Sequence, residues 1–156
     1  MTITADTNNI EKIPDKEVGK EVGSMTVEEA RKYFVNDRYA MATTGIQIDA
    51  VDEHYAKCSL KLDERHMNAV GQVMGGVAYT LADFVFAVAT NACSDVPTVT
   101  TVSQISYLGV VKGDTLIAES ELLREGRRNC FYLIHIKDNL GNPIAVVNTS
   151  GAHLHK

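Results

Sequence analysis

The chain has 156 residues, a length that suits one domain of ordinary size. Hydrophobic residues make up 45% of it and charged residues 22%, a globular balance that argues against wholesale disorder. Fifteen lysines and arginines against twenty acidic residues leave a formal net charge of -5, which argues against general nucleic-acid binding. A small basic pocket for one phosphorylated ligand stays compatible with this charge.

The N-terminus lacks the basic and apolar blocks of a secretory signal. The most apolar stretch, 77–92, is interrupted by an aspartate and is too short to span a membrane. The three cysteines, Cys58, Cys93 and Cys130, are far apart, and no CxxC or HExxH motif is present. We therefore expect a cytoplasmic protein with reduced thiols, no membrane contact and no bound metal.

Residues 1–23 are polar and show no sustained period, and we interpret them as a flexible arm before a single domain at 24–156. A helix is predicted from about Ser24, because Thr26 and Glu29 have capping-box spacing. Alternation at Ile46, Ile48 and Ala50 then predicts a half-buried strand, and a second strand is predicted at about 55–62. Residues 63–74 are predicted to form a loop.

A long helix is predicted from Gly75 to about Ala92, and it is apolar on nearly all sides, so it must be buried on nearly all sides. Four strand-like runs follow near 98–109, 114–124, 129–138 and 143–154, joined by short polar links that favour antiparallel hairpins. One apolar helix and one apolar sheet face can cover each other. The pattern therefore predicts an α+β fold in which a curved antiparallel sheet of about six strands wraps around one long central helix.

One carboxylate stands out within this helix. Asp83 is the only formally charged residue between His66 and Asp95, and an apolar helix rarely carries an unpaired carboxylate without a reason. Asp83 is either a functional group or part of a narrow polar stripe, with Thr80 and Thr90, that faces solvent or a partner.

Two glycines and an asparagine precede Asp83. Met74-Gly75-Gly76 opens the helix, where free backbone N–H groups can receive developing negative charge. The same glycines could instead serve only a tight turn into the helix. Asn68 could hold a carbonyl group or a water, or could be an ordinary turn residue.

The run from His66 to Ala92 resembles the signature of the hotdog-fold acyl-CoA thioesterases, in particular the phenylacetyl-CoA type. The family shows Asn, Gly three residues later, His-Gly-Gly, and then Leu-Ala-Asp in the central helix. The matching residues here are Asn68, Gly71, Met74-Gly75-Gly76 and Leu81-Ala82-Asp83. Weaker similarity extends from about Gly45 to His153 and includes Ile105-Ser106-Tyr107-Leu108.

The resemblance implies a hydrolase that cleaves acyl-CoA thioesters, and it implies roles for four residues. Asp83 matches the general base or nucleophile, and Gly75 matches the amide that polarises the thioester carbonyl. Asn68 matches the side chain that positions the thioester or the water. Thr100 matches a hydroxyl residue that orients the water, or Thr101 does if the register is shifted by one. Met74 replaces the family histidine, a change that keeps the backbone N–H and the carboxylate.

Further residues are expected to contact the substrate, and coenzyme A is part of that substrate, so no separate cofactor is expected. The acyl group is expected near Phe84, and His66 is a possible pocket-edge residue. The arginines at one hairpin turn either clamp the coenzyme A phosphates or form a solvated tip. The expected substrate-binding residues are Gly76, Met74, His66, Phe84, Arg124, Arg127 and Arg128.

Spacing indicates how many chains build the site. Gly75 and Asp83 are eight residues apart, which is roughly 12 Å along a helix, too far for both to act on one thioester carbon. Two helices packed antiparallel across a twofold axis would bring them together, so we expect a homodimer with two shared sites. The superfamily further suggests a dimer of dimers, a homotetramer. Two alternatives stay open: an acyl-CoA hydratase or dehydratase of the same fold, and a non-catalytic acyl-CoA-binding protein.

Overall fold

The computed structural model describes residues 25–154. Residues 1–24, 155 and 156, which include the predicted arm, lie outside the described residues. Two helices, α1 at Val27–Tyr33 and α2 at Gly75–Asn91, accompany six strands. The strands are β1 at Gln47–Asp52, β2 at Tyr55–Lys61, β3 at Thr98–Tyr107, β4 at Thr115–Glu125, β5 at Asn129–Asp138 and β6 at Pro143–His153.

The six strands form one antiparallel sheet in the order β1-β2-β4-β5-β6-β3, so β1 and β3 are its edges. Helix α2 packs along one face of the sheet. Phe86 of this helix meets Tyr132 of β5 edge to face at 5.4 Å, and Phe84 meets Phe34 edge to face at 5.6 Å. The helix is thus buried between the sheet and the N-terminal segment, which confirms the predicted α+β architecture.

The N-terminal helix begins three residues later than predicted, at Val27, and the predicted capping box is confirmed. The Glu29 N–H donates to Thr26 Oγ1 at 3.2 Å, and the Thr26 N–H donates to Glu29 Oε2 at 2.7 Å. A short 3₁₀ turn at Phe34–Asn36 and a π-helical segment at Arg38–Thr44 follow, and the sequence pattern did not predict either. Gly45 ends this region in the left-handed conformation, with φ of 90°.

A bulge changes the predicted face of β1. The register shifts between Ile48 and Ala50, which pair with Cys58 and Lys57. Ile48 and Val51 are therefore buried, whereas Ala50 is only half-buried, so the prediction of Ala50 on the buried face was wrong. Strict alternation cannot locate an extra residue in a strand.

Asp138 fastens the loop between β3 and β4 to the end of β5. Its carboxylate accepts hydrogen bonds from the backbone N–H groups of Lys112 at 3.1 Å and Gly113 at 3.0 Å. It also accepts hydrogen bonds from the backbone N–H and the side-chain Nδ2 group of Asn142. Burial alone would raise the pKa of Asp138, but these hydrogen bonds to the charged form hold its pKa well below the usual range. The loop that they fix lies next to the start of α2.

Candidate active site

Most of the surface of helix α2 is buried, but one strip, formed by Gly76, Thr80, Asp83 and Ala87, is exposed or half-buried. We call it the open strip. Leu81, Val85 and Val88 are fully buried, whereas Gly76 and Asp83 are exposed and Thr80 and Ala87 are half-buried. The strip follows helical spacing along one side of the helix. Thr90, which was expected on the polar stripe, is buried instead and donates to the Phe86 carbonyl at 2.8 Å.

Asp83 has a hydroxyl partner on the neighbouring edge strand. Thr100 Oγ1 donates to Asp83 Oδ1 at 3.2 Å. A bulge between Thr100 and Val102 leaves Thr101 as the extra residue, and Thr101 Oγ1 donates to the Ser150 carbonyl at 3.0 Å instead. The geometry therefore selects Thr100 rather than Thr101 as the hydroxyl residue beside the carboxylate.

The start of α2 has no side-chain cap. Met74 occupies the N-cap position and makes no side-chain hydrogen bond to the first turn, because its thioether is not a usual capping group. The amides of Gly75 and Gly76 belong to the first turn, where N–H groups have no partner within the helix. Serine, threonine, aspartate or asparagine at position 74 would occupy such amides, so this sequence leaves the helix start open to a ligand.

Tyr107 packs directly against the helix start. A Cβ added at Gly75 would lie 2.6 Å from Tyr107 Oη and 2.8 Å from Cζ, so only glycine allows this approach. The Tyr107 ring also lines a cavity of about 110 Å³ with Gly75, Met74 and Ala78. The sequence analysis assigned no role to Tyr107, although it belongs to the strand that resembles the family, because only the fold shows that the strand ends beside Gly75.

Asn68 shapes the loop that leads to the helix. Its Oδ1 accepts the N–H groups of Val70 and Gln72, each at 3.0 Å, and the backbone bridge between Met67 and Val73 closes the turn. The amide is exposed, and both hydrogen bonds use its oxygen. The same anchoring that makes Asn68 a turn residue uses only the amide oxygen, so the Nδ2 group of this exposed side chain can donate to another acceptor.

Two predicted substrate-binding residues lie in the interior of the protomer. His66 is 2% exposed, its Nδ1 accepts the Asp63 N–H at 2.9 Å, and its Nε2 must then donate to the Thr44 carbonyl at 2.8 Å. Phe84 is 2% exposed and packs on Phe34. Both positions favour a structural role over contact with a substrate.

The arginines predicted to clamp phosphates are on the far side of the protomer from the helix start. Arg124 is the second-to-last residue of β4, and Arg127 and Arg128 are in the turn to β5, whereas Tyr107 and Gly75 lie at the opposite end of the sheet. All three arginine residues are exposed. They could reach a substrate bound at a helix start only if that helix belonged to another chain.

The described residues thus form two half-sites on one helix. One is the Asp83–Thr100 pair on the open strip, and the other is the uncapped start at Gly75 with Tyr107, preceded by the loop that Asn68 shapes. The first can accept a proton, and the second can donate hydrogen bonds to an oxygen that gains negative charge. No helix among residues 25–154 is long and apolar enough to cross a lipid bilayer.

Comparison with known proteins shows that this chain is similar to thioesterases. Residues 70–144 match the model of the thioesterase superfamily. The chain is 28% identical over 120 residues to the acyl-coenzyme A thioesterase PaaI of Escherichia coli, covering 76% of this chain and 84% of that protein.

Two solved structures share the fold. The PaaI protein from the phenylacetic acid degradation operon of E. coli has a TM-score of 0.77 at 22% identity, covering 86% of this chain and 97% of that one. A hypothetical thioesterase from Streptococcus pneumoniae, solved with coenzyme A, has a TM-score of 0.71 at 19% identity, covering 79% of this chain and 98% of that one. At these identities the structures establish the shared architecture.

Proposed function

We propose that this protein, a hotdog-fold member of the thioesterase superfamily and a thioester hydrolase of the PaaI-like type, cleaves acyl-CoA thioesters to a free acid and coenzyme A. The observation that carries the proposal is the exposed Asp83 carboxylate, held by Thr100 on the open strip of the central helix. Coenzyme A is part of the substrate, and the chemistry requires no separate cofactor.

The reaction needs a base for water and donors for the carbonyl oxygen. Asp83 takes a proton from water while the water oxygen bonds to the thioester carbonyl carbon. The amide of Gly75, with the Tyr107 hydroxyl beside it, stabilises the negative charge that develops on the carbonyl oxygen, and Asn68, in the loop before the helix, positions the thioester or the water. The C–S bond then breaks, and the coenzyme A thiolate leaves and takes up a proton.

We assign Asp83 the role of general base rather than nucleophile. Thr100 donates to Oδ1 and thereby fixes the orientation of the carboxylate, which leaves Oδ2 to accept the proton of the water. One turnover in ¹⁸O-labelled water tests this assignment. Base catalysis places the label in the product acid and none in Asp83, whereas product oxygen that comes from the enzyme carboxylate, or label in Asp83, would show attack by Asp83 and overturn the assignment.

The site requires two chains in this proposal. Gly75 and Asp83 are both in α2, roughly 12 Å apart along its axis, so one protomer cannot bring them to one thioester. Strand β3 is an edge strand whose residues are mostly exposed, including the large apolar residues Val99, Val102 and Tyr107. An exposed edge of this length and an open helix strip beside it are typical of a surface that pairs with a second copy.

The second copy would place its own helix start opposite Asp83. Each dimer would then hold two equivalent sites, with the acid from one chain and the oxyanion donors from the other. The turn between β4 and β5 of one chain, which carries Arg127 and Arg128, could then approach a substrate held at the helix start of its partner. The cationic side chains could bind the coenzyme A phosphates there. The dimer of dimers and the cytoplasmic location stay predictions.

A panel of aryl-, short-chain and long-chain acyl-CoAs with a thiol reagent tests the function. We expect thiol release with wild-type protein and a loss of about 100-fold or more with Asp83→Ala, as for removal of a general base. Asp95→Ala removes another exposed carboxylate, outside the site, and should keep wild-type rates. Thiol release from no substrate would favour a binding protein, and loss of enoyl absorbance with crotonyl-CoA but no free thiol would favour a hydratase.

A further inference from the structure

A second cluster of chemically active side chains lies at the opposite end of the sheet from the start of α2. Glu125 ends β4, Cys130 is its direct cross-strand partner on β5, and His153 ends β6. One ligand atom from each residue, a carboxylate oxygen, the thiol sulfur and an imidazole nitrogen, lies within 4.8 Å of the others. We propose that these three residues form a binding site for a divalent cation of the zinc type.

The donor set fits this class of cation. Thiolate, imidazole and carboxylate are the three ligand types that bind Zn²⁺, and a soft sulfur ligand disfavours Mg²⁺ and Ca²⁺. The three residues come from neighbouring strands of a rigid sheet, so folding positions them without help from a metal. The sequence analysis expected no metal because 28 positions separate Glu125 from His153 along the chain, and only strand pairing brings them together.

The imidazole of His153 is already oriented as a metal-binding histidine usually is. Its Nδ1 lies 2.8 Å from Thr98 Oγ1, and its Nε2 lies 2.6 Å from Glu125 Oε1. A hydrogen bond from Nδ1–H to an oxygen fixes the tautomer in which Nε2 is the ligand. A cation between Nε2 and the carboxylate would replace the direct contact that these two groups now make.

Access to the site is open on one side. Cys130 is fully buried, the His153 side chain is 11% exposed, and the Glu125 side chain is 33% exposed. His54 lies beside Glu125, with Nδ1 3.9 Å from Glu125 Oε2 and 3.3 Å from Tyr132 Oη, and it has a left-handed backbone at φ of 60°, which is uncommon for a residue with a side chain. A cation could enter past Glu125 and take His54 or water as its fourth ligand, and the Cys130 thiol would release its proton to solvent on binding.

The metal alone is the probe, and the full chain is first stripped with a chelator. We expect equilibrium dialysis to show one Zn²⁺ bound per chain, and Co²⁺ to give a sulfur-to-metal charge-transfer band. Cys130→Ser should abolish this band, whereas Cys93→Ser, a partly buried thiol outside the cluster, should keep it. Thr98→Val should weaken Zn²⁺ binding by about 10–100-fold, as expected when a metal-binding histidine loses its hydrogen-bond partner.

Stability gives a second measurement that does not depend on catalysis. Zn²⁺ should raise the Tm of the wild-type chain and of Cys93→Ser, but not that of Cys130→Ser. Glu125→Gln, at a partly exposed position, provides the same test if Cys130→Ser does not fold. Absence of bound Zn²⁺ in the wild-type chain, or equal binding by all these variants, would overturn the proposal and leave the Glu125–His153 pair as a purely structural contact.

Discussion

Two inactive variants should recover activity when their subunits are mixed. The first variant is Asp83→Ala, which loses the base but keeps the helix start. The second is Gly75→Val, which keeps the base. Because a Cβ at Gly75 would already lie 2.6 Å from Tyr107 Oη, the valine side chain must displace the tyrosine and cover the approach to the amide.

The size of the recovery follows from the placement of the two half-sites. In a mixed dimer, one site combines Asp83 from the second variant with Gly75 from the first, and it is intact. The other site combines both defects. Random exchange makes half of the dimers mixed, and each has one working site of two, so the mixture should reach about one quarter of the wild-type specific activity. Sites that lay within single chains would give almost none.

The assay is thiol release from the best acyl-CoA substrate after the two variants are co-expressed with different affinity tags. Purification through both tags isolates the mixed dimer, which should show about half of the wild-type activity. Each variant alone should form folded dimers of low activity. A folded mixed dimer without activity would refute the shared site, and a fully active Gly75→Val would remove the helix start from the mechanism.

Three further variants test the groups around these half-sites. Thr100→Val should lower kcat about 10-fold, as for loss of one hydrogen bond to the base, whereas Thr101→Val should leave kcat near wild type. Tyr107→Phe should lower kcat by a similar factor and leave KM and the oligomeric state unchanged; wild-type kcat would limit Tyr107 to packing. For Asp138, whose folded pKa lies below its unfolded value of about 3.9, the stabilisation is present above that value and is lost as pH falls towards the folded pKa. Asp138→Asn should therefore lower the urea midpoint at neutral pH and flatten its fall in acid, and an unchanged midpoint would show that the network contributes nothing.

The architecture could be read from the sequence because its strongest signals were local. Glu29 three residues after Thr26 marks a helix start, and that capping box is present in the structure. A helix with apolar residues on nearly all sides must be buried on most of its surface, and short polar links favour antiparallel hairpins. These patterns predict element types and neighbours, and the two predicted helices and six predicted strands are all present.

The parts that sequence patterns missed depend on single extra residues or on distant strands. The bulge in β1 moved Val51 into the core in place of Ala50, and the bulge in β3 turned Thr101 away from Asp83. A period of two residues contains no information about such insertions. The contact between helix α2 and strand β3 could not be predicted either, because Tyr107 approaches Gly75 only in the folded chain.

The placement of the two half-sites explains why the fold leaves its central helix partly uncovered. Asp83 and Thr100 lie next to each other within one protomer, and Gly75 and Tyr107 do the same, so ordinary packing builds each half-site locally. Because one rigid helix carries both halves, their separation cannot change with loop motion. In the proposed dimer, a second helix running in the opposite direction supplies the missing half, and the exposed or half-buried strip of Gly76, Thr80, Asp83 and Ala87 is the part of α2 that would receive it. A bulky residue at Ala87 should therefore disturb the pairing of chains and the activity together, while the fold of each protomer persists.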